Sequence, residues 1–204
     1  MSSPLQAAPR GRPRTITRER IADAGIKMGL PKISFVGLAA ALGVSHMALY
    51  KHVPTLDDLK RLIAEEIFTR WQIPQARGDG RAGLKDYLLE FTSSVRDFVK
   101  AHPGVTPYVI RRLAATQAMI TKIVGHQRHI ALAYGLSEDQ SRWLLATVTF
   151  NCLAAADTVY SVAGREPVVN ADRAAEEAEM ELELDQGIRA LIVGALAMLE
   201  DVAA

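Results

Sequence analysis

The chemistry in this chain concentrates where His46, Met47, Ala48, Tyr50, Lys51 and His52 flank Leu49. His46 can donate to or accept from a base edge, and Met47 and Ala48 can make apolar contact with a thymine methyl. Tyr50, Lys51 and His52 can reach phosphates, contacts that fix register without reading sequence. Ser34, Ser45 and Thr55, each at a predicted helix start, join them as candidate DNA contacts. So do Arg10, Arg12 and Arg14 in a proline-bearing N-terminal arm. Other readings stay open: Tyr50 can pack against the preceding helix, and His52 can cap helix carbonyls.

The elements that must position these side chains are two short helices and a tight turn. Ser34 stands at an N-cap, and Leu38, Ala39 and Leu42 put an apolar stripe on the first helix. Gly43 falls where the backbone must turn left-handed, which glycine does without a Cβ penalty. Val44 packs into the corner and Ser45 caps the second helix. Leu49 and Val53 repeat at helical spacing until Pro54 ends it. Ala39 is small where the helices cross. This is a helix-turn-helix, whose second helix normally enters the major groove.

The stretch Leu49-Tyr50-Lys51-His52-Val53-Pro54-Thr55-Leu56-Asp57-Asp58-Leu59 resembles the signature of the TetR family, the tetracycline-repressor-like regulators. The resemblance covers roughly residues 15–70. It implies that the tyrosine and histidine here are phosphate ligands, and that the three positions before Leu49 include base contacts. It also implies a homodimer formed by the last two long helices, and a buried effector cavity among the C-terminal helices. Three positions depart from the pattern, one of them Gly37, which loosens the positioning helix. Many relatives carry a basic or polar residue where Val36 stands and a lysine where Leu56 stands, so those charged contacts are missing.

Charge is distributed as DNA binding requires. The net charge is +1, but residues 1–70 hold eleven Lys/Arg against six Asp/Glu, while residues 71–204 hold thirteen against seventeen. Apolar residues make up 49% of the 204, ample for a core, and long Ala/Leu-rich periodic segments point to an all-α fold. No membrane span and no signal pattern are read, so a cytoplasmic protein is expected. The single cysteine, Cys152, excludes an intramolecular disulfide and a cysteine-based zinc site, and reads as a small buried hydrophobe.

Four regions follow: a disordered basic arm over 1–14, a helix-turn-helix domain over 15–55, a connecting helix over 56–72, and a ligand-binding and dimerisation bundle over 73–204. Thr15 or Thr17 caps a first helix over about 18–28, in which Gly25 is a weak point, as Gly37 is in the next helix. Thr55 to Asp58 matches a capping box opening the connecting helix, which should be the only continuous segment between motif and bundle. In the bundle, helices are expected to His102, over Val105–Ala115, over Ala118–Tyr134, from a capping box at Ser137 to Gly164, and over about Gln186–Val202. The acidic run Glu176–Asp185 is placed just before that last helix.

For the effector cavity, Arg112, Gln127, Asn151 and Asp157 interrupt apolar faces, and Tyr87, Phe91, Tyr108, Trp143 and Phe150 supply aromatic lining. His102, His126, His129, Asp157 and Cys152 stand in no recognised catalytic or metal-ligand spacing. No metal, cofactor or enzymatic activity is expected. The sequence reads as a regulator, most simply a repressor released from a palindromic operator in double-stranded DNA by a small-molecule effector. The rival is an α-helical enzyme or ligand carrier whose helix-turn-helix is only structural.

Overall fold

The computed structural model describes residues 16–78, 80–110, 114–163, 165 and 172–201. Among them are nine α-helices and no strand. The first four are α1 (Arg18–Met28), α2 (Phe35–Leu42), α3 (His46–Tyr50) and α4 (Leu56–Arg70). The rest are α5 (Leu84–Ala101), α6 (Thr106–Val109), α7 (Gln117–Tyr134), α8 (Glu138–Val162) and α9 (Arg173–Asp201).

The starts follow side-chain chemistry. Thr17, Ser34, Ser45, Thr55, Thr116 and Ser137 each accept a backbone N–H from the first turn of the helix they precede. At Ser137 the box is complete, because the Gln140 side chain accepts the Ser137 N–H at 2.9 Å. Gly43 and Gly135 end α2 and α7 at φ 68° and 64°, in the left-handed region.

One hydrophobic core runs through the molecule. Ile21, Leu38, Leu49, Leu59 and Ile63 are buried between α1 and α4, and Leu88, Val95, Leu144 and Val148 between α5 and α8. Gly25, expected to weaken α1, instead marks its closest approach to α4. A Cβ there would lie 2.3 Å from Cδ1 of Ile63, so only glycine fits this crossing.

Three boundaries differ from the sequence reading. The second helix of the helix-turn-helix stops at Tyr50, and Lys51 and His52 sit in a turn before buried Val53. The expected helix over Val105–Ala115 is only α6, with residues 111–113 outside the described set. The acidic run lies inside α9, which begins at Arg173. Three of its carboxylates are paired, Glu177 with Arg173 and Asp185 with Arg189 along the helix, and Glu181 and Asp185 with Arg96 and Lys100 of α5. Arg96 reaches Glu181 at 2.6 Å and Asp185 at 3.2 Å, tying α5 to α9.

Candidate DNA-reading surface and ligand cavity

At the helix-turn-helix, the Ser45 hydroxyl accepts the Ala48 N–H at 3.2 Å and the Ser34 hydroxyl accepts that of Gly37 at 3.1 Å. Each hydroxyl keeps its own proton to donate to a phosphate. Thr55 differs. It accepts the Asp58 N–H at 3.0 Å and donates its own proton to the Asp58 carboxylate at 2.6 Å, so its role here is capping.

His46, Met47, Tyr50, Lys51 and His52 are exposed, and Ala48 is half-buried. Their arrangement on one surface follows from ring contacts. Tyr50 stacks on Phe35 of α2 at 4.1 Å between centroids and meets the His46 ring edge-on at 6.4 Å. Tyr50 thus packs on the preceding helix and still presents its outer edge, being 42% exposed. Leu49 points the other way and anchors the helix in the core. Arg10, Arg12 and Arg14 lie outside the described residues.

At the other end, α4 through α8 surround a cavity of about 660 Å³. It brings together four of the expected residues, Phe91, Gln127, Phe150 and Asn151. Tyr87 stands next to this lining. Its hydroxyl is 2.6 Å from Nε2 of His126, and its ring stacks on Phe91. Trp143 and Asp157 do not border the space. Each is seven residues from Phe150 along α8, about 10 Å of helix rise in opposite directions. Tyr108 is also off the lining, and its hydroxyl is pushed up by burial and by the charge of Asp57 on α4. Arg112 lies outside the described residues.

Among the lining residues that sequence reasoning passed over, His126 carries the most chemistry. It interrupts an apolar face of α7 built on Met119, Ile123 and Ile130 at helical spacing, a signal that was available. Burial, with the charges of His129 and Lys122, lowers its pKa to about 4, so the ring is neutral near pH 7. Thr147, Thr149, Gln127 and Asn151 add hydroxyl and amide groups to walls of Phe68, Trp71 and Phe98. Burial also raises the Tyr87 hydroxyl, keeping it protonated. Cys152 is buried beside α5, donates to the Thr92 carbonyl at 3.6 Å and is pushed up to about 12 by that burial.

Several contacts among the described residues join the two ends. α4 links them covalently, and Phe68 and Trp71 at its lower end border the cavity. Lys122 of α7 holds that end, its ammonium donating to the carbonyls of Phe68, Thr69 and Trp71 at 3.1, 2.8 and 2.5 Å. The bend after α5 touches the helix-turn-helix unit directly, which sequence did not foresee. Gly104, at φ 81°, lies so close to Pro31 that a Cβ would meet its ring at 3.4 Å.

Among the described residues, no cluster of His, Cys, Asp and Glu is placed to hold a metal ion, and no helix is long and apolar enough to cross a membrane. No family model matches the chain, and no curated protein matches it. Solved structures do. A TetR variant from Acinetobacter baumannii AYE in complex with minocycline superposes with a TM-score of 0.67 at 17% identity, covering 91% of this chain and 99% of that one. The Streptomyces coelicolor TetR family protein ActR in complex with actinorhodin gives 0.65 at 18% identity, over 91% and 99%. A transcriptional regulator of the TetR type from the same organism gives 0.58 at 20% identity, over 89% and 98%. The capped helix-turn-helix, the connecting helix and the hollow bundle thus make up a TetR-like fold.

Proposed function

We propose that this chain is a cytoplasmic, sequence-specific transcriptional regulator that binds a palindromic operator as a homodimer and acts as a repressor. The observation that carries the reading is the exposed surface of α3. His46, Met47 and Tyr50 project from a helix pinned by the Ser45 cap and buried Leu49, a geometry suited to a major groove. His46 is assigned to base reading with Met47 and Ala48. Tyr50, Lys51, His52, Ser34, Ser45 and the arm arginines are assigned to phosphates.

Dimerisation is assigned to α8 and α9. Val162, Leu182, Val193 and Met198 are more than 40% exposed there, apolar area that a second copy would cover. A two-fold operator needs a two-fold protein. The cavity supports a small, largely apolar effector with one or two hydrogen-bonding groups. Two structural neighbours are in complex with small molecules, minocycline and actinorhodin. Effector binding would shift the lower end of α4 and the α5–α6 bend, moving both recognition helices out of register.

The test is selection from fragmented genomic DNA with the full chain. Enrichment of one palindromic site supports the reading; no enrichment favours an enzyme or ligand carrier with a structural helix-turn-helix. Tyr50→Ala or His52→Ala should weaken operator and random DNA alike. His46→Ala should instead relax one base position by about 1–3 kcal/mol. An effector that lowers operator affinity must have its own affinity lowered by operator to the same factor.

A further inference from the structure

The surface assigned to DNA carries two large apolar side chains that the folded domain leaves without cover. Val36 is 72% exposed and Met47 is 62% exposed. They stand on adjacent helices of the helix-turn-helix. Met47 is one helical turn before Tyr50 on α3, Tyr50 stacks on Phe35, and Val36 is the next residue of α2. The first turn of α2, which carries Val36, therefore lies beside α3, which carries Met47.

A single exposed apolar residue needs no explanation. Here the assigned partner makes the pair informative. Pressed against phosphates or against purine and cytosine edges, Val36 and Met47 would strip water from polar groups and return no hydrogen bond. The floor of the major groove offers one apolar group, the C5-methyl of thymine. We infer that Val36 and Met47 are specificity-determining residues that read thymine methyl groups, so that the operator carries thymine at a fixed position opposite each of them in every half-site. The inference rests on the DNA-binding reading and adds base identity to it. Val36 thereby gains a role that its lack of a charge had seemed to remove.

Each methyl buried on binding contributes about as much as a buried methylene, so its loss should weaken binding about fourfold. The experiment starts from sites selected from random DNA by the full-length protein. In synthetic copies of the selected site, each thymine in turn is replaced by deoxyuridine, which deletes the methyl and keeps every base pair. Two positions per half-site should lose about fourfold each, and symmetric replacement in both half-sites about fifteenfold. Against Met47→Ala the deoxyuridine penalty should vanish at one of these positions, and against Val36→Ala at the other, while His46→Ala leaves both penalties in place. A selected site that tolerates deoxyuridine throughout, at unchanged affinity, overturns the thymine reading and leaves DNA binding standing. Failure to select any site overturns both. The deoxyuridine series alters only the DNA, so it decides the matter even where a protein variant folds poorly.

Discussion

Replacing Lys122 with methionine should loosen the lower end of α4 while keeping the bulk of the side chain. The lysine ammonium has three carbonyl acceptors, from Phe68, Thr69 and Trp71, at the end of a helix whose last carbonyls have no partner within it. It also lies 5.7 Å from the centre of the Phe68 ring. Hydrogen bonds from a charged donor each contribute about 1.5–3 kcal/mol. Three that share one ammonium, partly open to water, do not add in full. The net loss should be about 2–3 kcal/mol, which for a chain of this size lowers the melting temperature by roughly 5–10 °C. Lys122→Arg should fall between, since a planar guanidinium cannot place three donors on three converging carbonyls. Urea unfolding followed by helical circular dichroism measures the loss as a shift of midpoint at constant slope. A Lys122→Met midpoint within about 0.5 kcal/mol of the parent would refute the claim that this lysine anchors the connecting helix to the cavity wall.

Other perturbations have equally definite outcomes. Gly25→Ala should destabilise by about 1–3 kcal/mol, because the clash with fully buried Ile63 outweighs the roughly 1 kcal/mol gain in helix propensity; a more stable variant would show that α1 and α4 can part freely. Gly187 and Gly194 have nothing within 4 Å of a Cβ in the single chain, so alanine at both should raise chain stability yet weaken a dimer that brings α9 close to its copy. Sedimentation of the double variant separates the two effects. His126 has a folded pKa near 4 against about 6.5 unfolded, so between these values the unfolded chain takes a proton that the folded site refuses. Stability should therefore fall by about 2 kcal/mol, discounted for partial exposure, as pH drops from 6.5 to 4, and His126→Gln should lack that part of the fall. Cys152 should resist a thiol-alkylating reagent at pH 8 in the folded protein and react at once in urea; rapid labelling of the folded form would contradict its burial.

Local chemistry made much of this protein legible from sequence alone. Ser34, Ser45, Thr55 and Ser137 announce helix starts because their hydroxyls accept first-turn N–H groups that have no partner within the helix. Gly43 announces the corner because its left-handed backbone conformation disfavours a side chain. The helix-turn-helix and its exposed face are set within about twenty residues, so the spacing of Leu38, Ala39, Leu42, Leu49 and Val53 was enough to orient His46 and Met47 outward. What sequence could not decide depends on contacts between distant segments. The run Glu176–Asp185 reads as a solvated prelude until Arg96 and Lys100, some eighty residues earlier, arrive to pair with Glu181 and Asp185 within α9. Gly25 reads as a defect until Ile63 fills its place. Trp143 and Asp157 share the character of cavity residues but fall outside the α8 lining, which runs from Leu145 to Leu153, while His126, which stood in no recognised site spacing, borders the space beside Tyr87. Periodicity reports which face of a helix is apolar. Only packing sets what that face meets, because a cavity is the space left where several faces fail to close.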